Sequence, residues 1–245
     1  MGGDLVLSHL VATLSCVFPE GEDFFVRSVR HYRDRVDDPV LKAQVAGFIG
    51  QEATHGREHR NLNRRLGELG YPTRHLDKRT KVWLALVERL LPPAYRLAIT
   101  AALEHYTATL AEVLLTSAEA QALFEPDELR SMVLWHSLEE AEHKAVAFDV
   151  YATVCGNERV RVWVMRLTTV AGSLDVLSGV VTSLMLDPAA RDLGRLWRSI
   201  RGLRQTPFSG NGLVRRIGEY NRREFHPNDR DLSALIGRWQ VELFG

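Results

Sequence analysis

Two Glu-x-x-His motifs, Glu52-Ala53-Thr54-His55 and Glu140-Ala141-Glu142-His143, carry the chemistry most visible in this chain. Three residues is nearly one helical turn, so on a helix each motif projects a carboxylate and an imidazole from one face. Each motif also has a lone glutamate upstream on the preceding long helix: Glu22 lies 30 residues before Glu52, and Glu104 lies 36 before Glu140. An antiparallel hairpin of that size returns to the same level, so Glu22, Glu52, His55, Glu104, Glu140 and His143 can converge. This is the ligand pattern of a carboxylate-bridged two-metal site inside a four-helix bundle. Two divalent cations carry four positive charges, and four carboxylates neutralise them in a low-dielectric core. Carboxylate oxygens can bridge both ions while each imidazole fixes one. Oxygen-rich ligation points to two iron ions, with manganese as the other candidate. The competing reading is surface salt-bridging glutamates and incidental histidines, and the doubled motif argues against it.

Other residues share these faces. His136, four before Glu140, sits about 40° away around the helix, and His59, seven after Glu52, about 20° away. Either can supply a seventh ligand or hydrogen-bond a ligating carboxylate; ligation leads for His136 and an outer supporting role for His59. His105 is rotated about 100° from Glu104, away from the ligand face. Around Glu104 the helix shows Thr100, Ala101, Thr107, Ala108 and Ala111. These small side chains suit either close helix packing or a pocket for substrate or dioxygen. Thr107 is the candidate catalytic residue, placed to hydrogen-bond a group bound at the metals. Tyr106 and Trp135 read as core. His9, His31, His75 and His226 read as surface or loop residues, and Arg27, Arg30, Arg33 and Arg35 as a solvated helix face.

Helical periodicity dominates and strand signals are scarce, which predicts an all-α fold. Expected helices run from about Glu20 to Val36, from Pro39 to about Leu69, from about Lys78 to Leu91, from about Ala94 to Ala118, and from Asp127 to about Cys155. Asp38 caps the second and Pro39 opens it; Gly70-Tyr71-Pro72 closes it. The expected organisation is a four-helix bundle over 1–156, with a helical extension over 157–245 packing on it as one integrated unit. In the extension, Leu167–Leu186 holds one charge, Asp175. Its length would span a bilayer, but Asp175, Arg166 and the many small polar residues favour a buried or dimer-forming helix. The basic stretch that follows (Arg191, Arg195, Arg198, Arg201, Arg204) suits a solvated face or peripheral membrane contact through 160–204. A homodimer is the expected assembly.

The 245 residues include 31 acidic and 31 basic side chains, so no global field argues for nucleic acid. Two cysteines, Cys16 and Cys155, form no disulfide framework and read as buried, inert thiols of a cytoplasmic protein. The N-terminal apolar stretch lacks a basic leader and a small-residue cleavage site, so it reads poorly as a signal peptide.

Five segments carry a family resemblance: FPEGEDFFVRSVRHYRD (18–34), FIGQEATHGREH (48–59), LEHYTA (103–108), LWHSLEEAEHKAVAFDVY (134–151) and FHP (225–227). Through them the chain resembles a bacterial family of predicted metal-dependent hydrolases, ferritin-like in helical pattern. That resemblance implies a ferritin-like four-helix bundle with additional C-terminal helices, and it implies hydrolysis. The His136/Glu140/His143 spacing also resembles that of the di-iron arylamine N-oxygenases, which implies His136 as an iron ligand. The leading expectation is dioxygen-dependent oxidation of a small or hydrophobic organic substrate. The alternatives are hydrolysis by a metal-activated water and iron binding without catalysis.

Overall fold

The computed structural model describes residues 3–245, and no β-strand occurs among them. The fold is all-α. Its helices are α1 (Leu5–Arg30), α2 (Pro39–Glu68), α3 (Thr73–Leu90), α4 (Pro93–Thr116), α5 (Ala118–Ala122), α6 (Asp127–His143), α7 (Val146–Val154), α8 (Glu158–Met185), α9 (Leu193–Leu203), α10 (Asn211–Glu219) and α11 (Ser233–Phe244). The tightest pairings are α1 with α2 and α4 with α6; α1–α4 and α2–α6 contacts close the set of four. Residues beyond 156 pack onto this set: α8 lies against α1 and α4, α9 against α1, α10 against α4, and α11 against α6.

The first helix begins fifteen residues earlier than the periodicity suggested, because Asp4 caps it by accepting from Leu7 N at 2.8 Å. Pro19 lies inside this helix, where it removes the donor that would bond the Ser15 carbonyl. Asn63 on α2 replaces that donor, its side-chain amide reaching Ser15 O at 2.9 Å. The capping of α2 is as expected: Asp38 accepts from Val40 N and Leu41 N at 2.7 and 2.9 Å.

The predicted helix from Asp127 to Cys155 is two helices. It breaks at Lys144-Ala145, directly after His143. The buried Lys144 ammonium there donates to the carbonyls of Pro227 and Arg230, tying the break to the C-terminal segment.

Helix α8 is long and apolar enough to cross a membrane by length and composition. One face packs inward through Val164, Met165, Gly179 and Val180. Gly179 permits a close approach to α1, since a Cβ there would lie 2.6 Å from the Thr13 methyl. The buried Arg161 donates to the carbonyls of Tyr220 and Arg222 and pairs with Glu158 at 2.7 Å, fastening the segment after α10 to α8. The opposite face of α8 leaves Trp163, Leu167, Val170, Leu174 and Leu177 exposed.

Candidate metal centre

Glu22 comes from α1, Glu52 and His55 from α2, Glu104 from α4, and His136, Glu140 and His143 from α6. All seven are buried, none more than 6% exposed. Four carboxylates and three imidazoles thus share one dry interior region, where isolated charge is expensive.

Their atoms converge without satisfying one another. Both oxygens of Glu22, Glu52 and Glu104, together with Glu140 Oε2, His55 Nδ1 and His143 Nε2, are buried and have no hydrogen-bond partner. Native interiors rarely tolerate even one such atom, and an unfilled ion site is a standard reason. Two overlapping triads bring their ligand atoms within 4.8 Å: Glu22, Glu52 and His55, and Glu52, Glu140 and His143. A third joins His55, His136 and Glu140, and a fourth joins Glu22, His59 and His136. Glu104 Oε2 lies 3.4 Å from His143 Nε2 and so borders the second triad. Glu52 and Glu140 are shared between neighbouring groups, the arrangement bridging carboxylates require.

The supporting hydrogen bonds orient each imidazole toward this centre. His55 Nε2 donates to Glu139 at 2.8 Å, and Glu139 in turn accepts from Trp135 Nε1 at 3.1 Å. The Nδ1 lone pair of His55 therefore faces Glu52 and Glu140, 3.4 and 3.6 Å away. His143 Nδ1 donates to Gln51 Oε1 at 3.0 Å, and the Gln51 amide is oriented by its own donation to Glu142. That leaves Nε2 of His143 as a lone pair aimed at Glu52. Both follow the pattern in which a metal-ligating histidine gives its other N–H to an outer acceptor.

His136 is oriented by a longer chain. Ser15 donates its only hydroxyl proton to Asn63 Oδ1 at 2.7 Å, so it must accept from His59 Nδ1 at 3.0 Å. His59 Nε2 then accepts from His136 Nδ1 at 3.0 Å, and His136 Nε2 is left with a lone pair 2.9 Å from Glu140 Oε1. A lone pair facing a carboxylate oxygen is repulsive unless a proton or a cation lies between them. His59 touches His136 rather than the carboxylates.

Burial and the crowding of like charges shift the protonation equilibria of these groups. Burial and the neighbouring Glu52 and Glu140 carboxylates push Glu104 up to about 8. Glu22 is raised as well, by burial first and then by Glu52. Burial opposes the charging of His55, yet its bond to Glu139 and the nearby Glu52 and Glu140 carboxylates lift it to about 10. Burial likewise opposes ionisation of Glu140, but the adjacent His136 and His143 imidazoles hold it well below the ordinary carboxylate range. Burial lowers His59, and neighbouring His136 adds to the effect.

The structure brings together all the carboxylates and histidines predicted as ligands. Thr107 lies on the adjoining wall of a cavity, its hydroxyl donating to the Glu104 carbonyl of its own helix at 3.0 Å. Of the other small residues, Ala111 also lines that cavity, whereas Thr100 bonds Ser28 at 2.7 Å and Ala101 packs in the core. His105 points elsewhere, to the Arg216 carbonyl. His9 is not a surface residue: it is buried against Ser183 and Asp187, at 2.6 and 2.9 Å. Trp135 does more than fill core, because its indole holds Glu139. Glu139 and Gln51 escaped the sequence reading; their only signal was position beside a ligand, Glu139 before Glu140 and Gln51 before Glu52. Gly56 was missed too. A Cβ there would lie 3.2 Å from Glu22 Oε2, so glycine keeps room for that carboxylate. Cys16 is buried and its thiol pushed up to about 12 by burial, consistent with an inert role.

No curated protein and no solved structure matches the chain. A family described as predicted metal-dependent hydrolase matches residues 1–231. With buried clusters of metal-ligand type at its centre, the chain belongs to this family of predicted metal-dependent hydrolases.

Proposed function

We propose that Glu22, Glu52, His55, Glu104, His136, Glu140 and His143 hold two divalent metal ions, and that the protein is a hydrolase of small organic esters or amides. The observation that carries this reading is the set of nine buried, unpartnered ligand-type atoms in one cluster. Four carboxylates match the charge of two divalent ions, so loading converts a mutually repulsive site into a neutral one. Bound metals would lower the pKa of a coordinated water and polarise the scissile carbonyl. The chain's own residues do the rest. Glu139 and Gln51 lock the imidazole tautomers, and the Ser15–His59 chain does the same for His136. Water adds across the C–O or C–N bond, releasing an acid and an alcohol or amine.

The test is hydrolysis of p-nitrophenyl acetate by protein loaded separately with Mn(II), Zn(II) and Fe(II), compared with Glu52→Ala. Metal-dependent turnover that disappears in the variant is the expected result. Equal turnover by the metal-free protein overturns the reading.

One observation favours a second chemistry. A donor set of four carboxylates and three imidazoles stabilises both ferrous and ferric iron, and its negative charge blunts Lewis acidity. Dioxygen-dependent oxidation by an iron pair fits that donor set. Under this reading Fe(II)-loaded protein mixed with oxygen develops transient visible absorption, and the hydrolysis assay stays silent.

A further inference from the structure

A cavity of about 220 Å³ lies between α1, α4 and α6 and reaches His136 and Glu140. Its walls are Leu14 and Phe18 from α1, Leu110 and Leu114 from α4, and Leu129 and Val133 from α6. Leu203 and Phe208 border it from the C-terminal extension. Among the lining residues no arginine, lysine or aspartate occurs, and the one carboxylate is Glu140. The polar groups not already engaged with the metal cluster are few, chiefly Thr107, Ser137 and Thr206.

We infer that this cavity binds the substrate, and that the substrate is an uncharged apolar molecule of about one aromatic ring with a short chain. This rests on the metal-site reading above and names what that site acts on. The size follows from comparison: an apolar cavity of about 150 Å³ stays dry and accepts benzene, so the larger space here holds a substituted ring. The charge follows from the walls. Away from the metal end, a phosphate or carboxylate on the substrate would lose its hydration with no cationic side chain in the lining to meet it. A neutral carbonyl or hydroxyl fits, since the hydroxyls of Thr107 and Ser137 are in the lining along with His136 and Glu140. Because the cavity touches Glu140 and His136 but not Glu104, His55 or His143, the reactive group meets the centre on its His136 side.

The experiment is calorimetric titration of the full chain with ethylbenzene, with 4-ethylbenzenesulfonate, a weakly metal-coordinating anion, as the charged counterpart. Metal content of each sample is measured in parallel. Ethylbenzene is expected to bind at least tenfold more tightly than 4-ethylbenzenesulfonate. Leu110→Trp and, independently, Leu14→Trp are expected to weaken it at least tenfold while leaving metal content unchanged. Equal or tighter binding of 4-ethylbenzenesulfonate, or unaltered ethylbenzene binding in both folded variants, overturns the inference. Ethylbenzene binding by a chain that holds no metal would leave the cavity standing and remove the metal-site reading, so the two failures are distinguishable.

A separate observation concerns α8. Its outward residues Trp163, Leu167, Val170, Leu174, Leu177 and Val181 recur at alternating spacings of four and three, and all are exposed. That is the seam of a coiled coil rather than the broader stripe of a surface helix. We propose that this face packs against the same face of a second copy. A helix of 28 residues is about 42 Å long. At roughly 60–120 Å² removed per such side chain, six of them from each copy bury on the order of 700–1,400 Å² in total. With the flanking atoms added, that reaches the range of specific interfaces. Along the seam Arg166 is the one exposed charge, and it lies over the Trp163 ring at 5.8 Å. Sedimentation equilibrium is expected to give a dimer for the native chain and a monomer for Val170→Glu/Leu174→Glu. A native monomer at tens of micromolar overturns the proposal, and cosedimentation of that monomer with phosphatidylglycerol vesicles would assign the face to a membrane surface instead.

Discussion

Replacing Glu104 by methionine should stabilise the metal-free protein while destroying what the site is for. Glu104 is 1% exposed, and neither of its oxygens has a hydrogen-bond partner. Methionine has nearly the same length and volume, so the substitution removes an uncompensated carboxylate without opening a void. Exchanging buried ionic groups for apolar residues of equal volume typically gains about 1–4 kcal/mol. For a chain of this size each kcal/mol moves Tm by ~2–4 °C. The gain should depend on pH in a defined direction. Glu104 is raised from 4.5 to about 8 in the metal-free fold, so its stabilising protonation is complete below pH 4.5 and is lost as pH rises toward 8. His55, raised from 6.5 to about 10, loses its contribution over that higher interval. The advantage of Glu104→Met is therefore larger at pH 8 than at pH 5. Metal works against that ranking: an ion present at 100 times its Kd stabilises only the chain that binds it, by about 2.7 kcal/mol. Differential scanning calorimetry with EDTA, and again with Mn(II), reads all of this. The reasoning fails if the EDTA-treated variant melts below the native chain, or if Mn(II) raises both melting temperatures equally.

Three further outcomes follow from the same geometry. Glu139→Gln leaves the ligands in place but weakens the acceptor for His55, so metal affinity should fall about 10–100-fold, measurable by competition with a chelating dye. Metal binding must expel protons from Glu104 and His55, so affinity should rise with pH between 5 and 8, with proton release seen in calorimetry performed in buffers of different ionisation enthalpy. Arg161→Met removes the donor shared by the Tyr220 and Arg222 carbonyls and by Glu158. Leaving those carbonyls without their donor should cost about 1–3 kcal/mol by chemical denaturation, while a variant that stays folded keeps its metal.

The convergence of the proposed ligands was legible in the sequence because their spacing matches the helical repeat, and a repeat survives any detail of packing. Glu52 and His55 lie on one face whatever α2 packs against. The start of α1 was not legible, since Pro19 reads as a stop signal until Asn63 is seen supplying the lost bond to Ser15. The break after His143 was equally hidden. It depends on Lys144 meeting carbonyls more than eighty residues away. The tautomer-fixing partners Glu139, Gln51, Ser15 and Asn63 have ordinary residue types, and only three-dimensional adjacency reveals what they do. His9 escaped for a related reason, as Ser183 and Asp187 reach it from the far end of α8.

The most direct test of the metal centre is elemental analysis of the purified chain after anaerobic loading with Fe(II) or Mn(II) and removal of loose ions. Two ions per chain are predicted for the native protein. Fewer than one is predicted for Glu52→Ala/Glu140→Ala, with far-ultraviolet circular dichroism showing that the variant remains helical. Full metal retention by that folded variant, or a folded native chain that takes up neither metal, would contradict the account.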